Sequence, residues 1–254
     1  MDDKHRIKDV YINVDMENIH EFYARRAIEK TKVNIDAPVI LSTDRDPSHA
    51  EYWTKYELEK RIPFFELDEE SKVLELGFGT GRIAKYITKT AKLYVGIDYV
   101  QEFVDLAKKR DDIYRDEQTF FVRASFSEAM NGQVPLPVGS GFNRFMVAAG
   151  VFMYINDTDL ERAIAGLIPR LEQKCILYFS EPVATKYRLT LKDFHSKEMN
   201  ADYSAIYRTL AEYDRLFEPF YQAGFRKVKS EEFFETDIKG WEETKQWFFL
   251  LKRD

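Results

Sequence analysis

Three glycines at alternate positions constrain the fold of this chain more than any other feature of its sequence. Gly77, Gly79 and Gly81 follow the apolar run 73–76, and after a short helical pattern a second apolar run ends at Asp98. Glycine loses more backbone entropy on folding than any other residue, so three within five positions are tolerated only where the chain turns sharply or a ligand approaches the main chain. The order strand, glycine turn, helix, strand, carboxylate predicts an α/β fold with a parallel sheet.

The same stretch predicts a ligand that contains a nucleoside. Main-chain amides in a glycine turn and at a helix start can bind a polar or anionic group. The carboxylate of Asp98, at the carboxyl end of the neighbouring strand, can accept both hydroxyls of a ribose. The dinucleotide fingerprint reads G-x-G-x-x-G, whereas Gly77, Gly79 and Gly81 read G-x-G-x-G, and Glu75 stands two residues before them. A nicotinamide or other nucleotide site remains the alternative interpretation.

With Glu75 ahead of the glycines and Asp98 at the end of the next strand, the sequence resembles the S-adenosylmethionine-dependent methyltransferases of the Rossmann-like class. Their first motif reads E/D-x-G-x-G-x-G. The resemblance implies that Glu75 lies near the methionine end of the cofactor, that the glycines pass beneath it, and that Asp98 holds the ribose. It also implies an α/β, doubly wound, seven-stranded and mostly parallel sheet with an antiparallel last strand, an N-terminal helical cap and an insertion after strand 5.

Other cofactor contacts implied by the resemblance fall on the strands that follow. Many family members have an acid that accepts the adenine amino group, and Ser125 stands at the matching position here. A serine oxygen can accept the same hydrogen bond, and Phe126 could lie against the adenine ring. The candidate cofactor-binding residues are Glu75, Gly77, Phe78, Gly79, Gly81, Asp98, Tyr99, Ser125, Phe126 and Ala148.

Three residues are candidates for acceptor binding or acid/base catalysis. Tyr154 follows the fourth predicted strand, on the stretch that faces the transferred methyl group in the resembling fold. Glu181 leaves the carboxyl end of the fifth strand, and His195 lies in the insertion. Each also has a structural interpretation: packing at a strand-to-helix corner for Tyr154, a cap or loop salt bridge for Glu181, and a structural histidine for His195.

The predicted organisation is a single methyltransferase domain over residues 1–254. It comprises an N-terminal helical extension (1–70), a cofactor-binding core (71–182), an acceptor-side insertion (183–222) and closing strands (223–254). In the insertion, Tyr203 and Tyr207 fall at helical steps, which predicts a helix ending near Gly224. Tyr23 and Trp53 of the extension could cover the site or pack as an apolar helix stripe, and the stripe is favoured.

Composition limits the partners. The net charge is -6 and the pI near 5.5, which disfavours a nucleic-acid substrate. The charged start of the chain shows neither a signal peptide nor a membrane span, and the single cysteine, Cys175, fits a reducing cytoplasm. No metal site is expected. The predicted partner is a small-molecule acceptor, with no nucleic acid and no membrane, and a homodimer is allowed.

The function expected from the sequence is methyl transfer from S-adenosylmethionine to a nitrogen or oxygen atom of a small polar acceptor. The acidic and tyrosine-rich acceptor side of the chain suits an amine, an amino sugar or a sugar hydroxyl. The chain also resembles bacterial enzymes that tailor sugars or other surface-glycan precursors, which adds a surface-polysaccharide precursor to the candidate acceptors. A non-catalytic protein that binds S-adenosylmethionine and an NAD(P)-dependent Rossmann oxidoreductase are the alternatives.

Overall fold

The computed structural model describes residues 3–113, 117–235 and 242–254, and ten strands within these ranges form one sheet. The strands are β1 (Arg6–Lys8), β2 (Lys72–Leu76), β3 (Leu93–Asp98), β4 (Thr119–Arg123), β5 (Phe142–Val147), β6 (Leu171–Ala184), β7 (Leu189–Ser196), β8 (Ala201–Thr209), β9 (Arg226–Glu232) and β10 (Thr244–Arg253). The α-helices are α1 (Met16–Glu29), α2 (His49–Lys60), α3 (Ala84–Ile87), α4 (Gln101–Lys109), α5 (Phe126–Met130), α6 (Asp157–Leu167) and α7 (Leu210–Gln222).

Seven strands follow the predicted doubly wound arrangement, in the spatial order β4, β3, β2, β5, β6, β10, β9. Strands β2 to β6 pair in parallel, and β10 runs antiparallel to both β6 and β9. The predicted fold class, including the antiparallel last strand, is confirmed. The chain leaves β2 toward β3 and β4, then returns to the opposite side of β2 at β5. This reversal creates a crevice at the carboxyl ends of β2 and β5, where open α/β sheets bind ligands.

The central strands are buried on both faces, which explains why they read as continuous apolar runs. Alternate residues point to opposite faces, so one residue of a strand packs against one helical layer and its neighbour against the other. One face carries Val73, Tyr94, Met146 and Tyr178, and the other carries Leu74, Val95, Phe145 and Leu177.

The sheet has three strands more than predicted, because the insertion after β6 is largely a β-hairpin. Strands β7 and β8 pair antiparallel, and β1 pairs with β7. Strand β6 continues beyond the end of β5, and Val183 and Ala184 pair there in parallel with β8. The hairpin therefore stands beyond the carboxyl end of β5, beside the crevice.

The prediction of helix around Tyr203 and Tyr207 is wrong, since both residues lie in β8. A spacing of four places residues on one face of a helix, but being even it also places them on one face of a strand. Helix α7 begins only at Leu210, where Thr209 and Glu212 form a reciprocal capping box.

The start of α6 is tied to the insertion. Its N-cap is Asn156, and the side chain of Asp157 is paired with Arg188 and Arg208 of the insertion. The helix stops before Pro169, and a 3-10 turn follows. No helix in the described ranges has the length and apolar character needed to cross a membrane.

Candidate functional site

A cavity of about 380 Å³ lies at the carboxyl ends of the central strands. Its walls come from the segments that directly follow β2, β3, β4 and β5, and from one face of α1. It therefore occupies the crevice that the reversal of strand order creates. No group of three or more His, Cys, Asp or Glu side chains in the described part of the chain is arranged to hold a metal ion.

The turn after β2 requires glycine for two reasons: its φ angles are positive, and neighbouring side chains lie too close to leave room for a Cβ atom. Gly77 and Gly79 line the cavity with φ of +71° and +55°. A Cβ on Gly77 would lie 2.3 Å from Val151 Cγ2, and one on Gly79 would lie 2.4 Å from Val39 Cγ1. Gly81 has φ of +80° but does not line the cavity; a Cβ there would meet Ile113. Any other residue would be strained and would collide, so the turn requires glycine.

Asp98 links the end of β3 to the glycine turn. Its Oδ2 accepts a hydrogen bond from Gly79 N at 2.8 Å, and its Oδ1 accepts one from Val100 N at 2.9 Å. Burial raises the pKa of Asp98 to about 6, and these amide donors oppose the rise. The carboxylate is thus fixed at the cavity wall, and its oxygens have lone pairs left for ligand hydroxyls.

Glu75 is a second buried carboxyl group in the cavity wall. Its Oε2 accepts a hydrogen bond of 2.6 Å from the hydroxyl of Tyr94, and burial raises its pKa to about 7. Among the described residues neither Glu75 nor Asp98 forms an ion pair, so a cationic ligand would relieve the cost of burying their charge.

Arg82 is a cavity-lining residue that the sequence reasoning missed. It follows the third glycine directly, and its side chain is 3% exposed. Its Nη2 donates to Glu57 Oε2 at 2.7 Å, and Glu57 Oε1 accepts from the hydroxyl of Tyr178 at 2.8 Å. This buried network ties α2 to the glycine turn. The signal available in the sequence was that a cationic residue, Arg82, directly follows the glycine motif.

The remaining cofactor candidates divide between the cavity and the core. Phe78, Tyr99, Ser125 and Ala148 all line the cavity, and Ser125 caps α5 by accepting a hydrogen bond from Glu128 N. Phe126 borders the cavity, but its ring is 2% exposed and stacks on Phe145 and Phe152. The ring of Phe126 therefore packs in the core. In this arrangement its faces are not open for the expected stacking against adenine.

One face of α1 closes the cavity. Met16, Ile19, His20 and Tyr23 recur at steps of three and four residues and all line it. Tyr23 is therefore both a packed and a cavity-lining residue, whereas Trp53 packs against Phe233 and Phe234 and does not reach the cavity. His20 was missed by the sequence reasoning because it stands within an ordinary amphipathic pattern.

Tyr154 is the one predicted catalytic residue that lines the cavity. It lies in a 3-10 turn after β5, and its hydroxyl accepts a hydrogen bond of 2.6 Å from the hydroxyl of Tyr23. Burial raises the pKa of Tyr154 well above its ordinary value, so its hydroxyl is neutral at physiological pH.

Glu181 and His195 are not brought to the cavity. Glu181 is fully buried, and its Oε1 accepts from the amides of Val151 at 2.8 Å and Phe152 at 3.0 Å. Burial raises its pKa to about 7. It holds the turn that carries Tyr154. His195 lies on the exposed part of the hairpin, with Nδ1 2.9 Å from Asp202 Oδ1.

Comparisons with known proteins agree with this geometry. Residues 73–174 match a family model described as a methyltransferase domain. No curated protein has a significant sequence match to the chain.

Many solved structures share the fold at low sequence identity. A complex of DhpI with S-adenosylhomocysteine superposes with a TM-score of 0.60 at 14% identity, covering 94% of this chain and 96% of that one. The N-methyltransferase NodS from Bradyrhizobium japonicum, also bound to S-adenosylhomocysteine, gives 0.57 at 15% identity, with 93% and 98% covered. An S-adenosylmethionine-dependent methyltransferase from Leishmania major gives 0.55 at 19% identity, with 93% and 86% covered. The chain therefore carries a match to a methyltransferase domain over residues 73–174 and shares the fold of these solved structures.

Proposed function

We propose that this enzyme transfers a methyl group from S-adenosylmethionine to a nitrogen or oxygen atom of a small polar acceptor. The observation that carries the proposal is the composition of one cavity. Glu75, the glycine turn, Asp98, Tyr23 and Tyr154 all line it, and we assign the first three to its cofactor end and the two tyrosine hydroxyls to its acceptor end.

The residues of the cofactor end fit S-adenosylmethionine. Glu75 supplies a buried carboxylate for the positively charged methionine part, and Asp98 supplies oxygens for the ribose hydroxyls. The bare backbone at Gly77 and Gly79 allows close approach. When bound, the cofactor supplies an electrophilic methyl group on a sulfonium, so the protein need not generate the electrophile.

The protein therefore contributes position rather than reactivity. An acceptor lone pair must lie in line with the methyl carbon, and fixed geometry lowers the barrier to such a reaction. Tyr154 is held in place by the turn that Glu181 anchors through the amides of Val151 and Phe152. We assign Tyr154 to acceptor contact, and Glu181 to positioning that turn.

The acceptor is proposed to be small and polar. The cavity of about 380 Å³ is at the lower end of the range for ligand sites, and the cofactor occupies much of it. Hydroxyl groups in its wall suit an amine, an amino sugar or a sugar hydroxyl, including a precursor of a surface polysaccharide. The description of one structural relative as an N-methyltransferase supports including amines.

The test is transfer of isotopically labelled methyl groups to a panel of small amines, amino sugars and neutral sugars, with tRNA and DNA as comparison substrates. We expect labelled product from a small acceptor, and a loss of at least about tenfold in kcat/KM in Tyr154→Phe. Tyr221→Phe, which alters a tyrosine hydroxyl bonded to Asp214 on the surface of α7, is the matched control.

Two results would favour the alternatives. Binding of S-adenosylhomocysteine without transfer to any member of the panel would favour a non-catalytic binding protein. Saturable binding of NAD(P)H in place of S-adenosylhomocysteine would favour an oxidoreductase.

A further inference from the structure

Four tyrosine hydroxyls form a continuous chain that starts at the acceptor end of the cavity. The oxygen atoms of Tyr23 and Tyr154 are 2.6 Å apart, those of Tyr154 and Tyr203 are 3.2 Å apart, and those of Tyr203 and Tyr207 are 3.2 Å apart. We call these four residues the tyrosine chain. Its members come from three separate segments: α1, the turn after β5, and β8.

The direction of hydrogen bonding in the chain is fixed at its cavity end. Tyr23 donates its only hydroxyl proton to Tyr154, so the oxygen of Tyr23 is left to accept a hydrogen bond from a ligand. Tyr154 can then donate to Tyr203, and Tyr203 to Tyr207. When Tyr154 donates to Tyr203 and Tyr203 donates to Tyr207, every proton in the chain points away from the cavity.

The chain ends near the surface. Tyr154 and Tyr203 are buried, whereas Tyr207, at the far end, is half-buried, and burial still raises the pKa of its hydroxyl. The charged groups beside the chain are Arg26 and Asp98 near Tyr23, and Arg6 near Tyr207. The path therefore runs from the cavity, through the core between α1 and the hairpin, to the outer side of β8.

We propose that the tyrosine chain carries the proton released by the acceptor to solvent, and that the acceptor atom is an amine nitrogen. This inference rests on the proposed methyl transfer. An amine that enters as an ammonium gives one N–H proton to the oxygen of Tyr23, while Tyr23 passes its own proton to Tyr154. Tyr154, Tyr203 and Tyr207 each shift one proton onward, and Tyr207 releases one to water. All four phenols end neutral, and the nitrogen keeps the lone pair needed for the new bond to carbon.

The choice of an amine follows from the acidity of the donor. Burial raises the pKa of Tyr23 to about 12 and that of Tyr203 well above its ordinary value. These phenols are therefore neutral at pH 7 and do not act as ionised bases. A neutral relay can remove a proton from an ammonium, whose pKa is about 8 to 10. An alcohol is a far weaker acid and would need a carboxylate or imidazole in contact. Glu181 lies behind the turn, His195 is remote, and the cavity-lining imidazole of His20 packs edge-on against Tyr99 and is not a member of the tyrosine chain.

Tyr203→Phe tests the relay without changing the cavity wall, since Tyr203 does not line it. On an amine that the wild-type enzyme methylates, we expect kcat near pH 7 to fall about 100-fold, the scale of a general acid–base contribution. Affinity for S-adenosylhomocysteine should be unchanged. The deficit should shrink as pH rises above the pKa of the amine, because the acceptor then enters without the extra proton. Tyr221→Phe is the control.

A second readout needs no acceptor. In the complex with S-adenosylhomocysteine, proton NMR should show hydroxyl resonances of Tyr154 and Tyr203 protected from exchange with water. Tyr203→Phe should shift the resonance of Tyr154 as well as removing its own, and Tyr207→Phe should shift that of Tyr203.

The outcomes separate the two proposals. If S-adenosylhomocysteine binds but no acceptor is methylated, the proposed function fails and the relay fails with it. If methylation occurs and Tyr203→Phe has the wild-type pH profile, or loses activity equally at every pH, the relay is overturned and the function stands. Methylation of hydroxyls alone, with amines refused, would overturn the choice of acceptor atom.

Discussion

Gly77 and Gly132 have nearly the same backbone conformation but different surroundings. Substituting each of them by alanine therefore separates the cost of backbone strain from the cost of steric overlap. Their φ angles are +71° and +75°, but a Cβ on Gly77 would lie 2.3 Å from Val151, whereas one on Gly132 would meet nothing within 4 Å. We expect Gly132→Ala to lose about 1–2 kcal/mol of unfolding free energy from backbone strain alone.

Gly77→Ala should lose about 1–3 kcal/mol more, because the added methyl group overpacks the turn, and it should abolish cofactor binding. Urea unfolding and calorimetric titration with S-adenosylhomocysteine measure the two effects. Equal losses in both variants, with binding retained in Gly77→Ala, would show that the close approach has no consequence.

The pKa values of Glu75 and Asp98 predict how cofactor binding depends on pH. Burial raises them to about 7 and about 6 in the free enzyme, and hydrogen bonds from the ammonium group and ribose hydroxyls of the ligand favour the ionised forms. Affinity for S-adenosylhomocysteine should therefore fall as pH is lowered from 8 to 5.5, with proton release on binding near pH 7. Calorimetry in two buffers of different ionisation enthalpy measures both quantities, and a flat profile would contradict the assignment.

Glu181 should lower the free energy of unfolding as pH rises, which is the opposite of the usual effect of a carboxyl group in a folded protein. Burial raises its folded pKa to about 7, above the ordinary value of 4.5, so the native state binds the proton more tightly than the unfolded state. Its contribution to stability is therefore complete below pH 4.5 and is lost as pH rises through 7. Glu181→Gln should flatten the fall in unfolding free energy between pH 5 and 8 measured with urea. An unchanged slope would contradict this account.

At the residue scale, the sequence predicted the cavity-lining residues of the glycine turn and Asp98 more readily than the other cavity-lining residues. Gly77, Gly79 and Asp98 were recognisable because a motif of strained glycines and a strand-end acid leaves few structural explanations. Glu181 was predicted at the end of a central strand and lies within β6, but a sequence does not show whether such a side chain turns toward the cavity or toward a neighbouring turn. In this chain the free amides of Val151 and Phe152 bind it instead.

Among the elements, the hairpin of β7 and β8 depends on one buried cation. Arg208 donates to the carbonyls of Phe152 and Ile155 at 2.7 Å each, and to Asp157 Oδ1 at 2.8 Å. The guanidinium therefore fastens β8 to the turn that carries Tyr154. Removing it takes one donor from each of the two carbonyls and leaves Asp157 paired with Arg188 alone.

Arg208→Met should reduce the free energy of unfolding by about 3–5 kcal/mol, the usual cost of breaking a buried charged pair. Arg162→Met, at an exposed ion pair of 3.7 Å with Asp159, should change it by less than about 0.5 kcal/mol. Urea unfolding measures both variants. Similar small effects would show that the hairpin does not depend on Arg208.

At the element scale, local patterns predicted the strands and helices of the core but not the hairpin. The pattern of Tyr203 and Tyr207 fits a helix and a strand equally, and pairing with β6 and β7 is a long-range choice that local periodicity does not encode. The cavity-facing side of α1 was hidden for a similar reason. An apolar stripe that includes His20 and Tyr23 looks the same whether it covers a core or a ligand.

In the whole molecule, the site exists because separate parts of the chain meet at one edge of the sheet. The reversal of strand order at β2 opens the crevice, and this reversal was predictable from the resemblance to a family fold. Helix α1 then covers it, and the hairpin packs against α1 and the turn after β5, which brings Tyr23 and Tyr203 to Tyr154. The single-domain organisation predicted for the chain remains a prediction.

Calorimetric titration of the wild-type protein and of Asp98→Ala with S-adenosylhomocysteine tests the central claim most directly, with Asp105→Ala on the exposed side of α4 as the control. We predict that the wild type and the control bind alike and that Asp98→Ala binds about 1–3 kcal/mol more weakly, through lost hydrogen bonds to the ribose. Equal affinity in all three proteins, or no binding by the wild type, would contradict the assignment of this cavity to the cofactor.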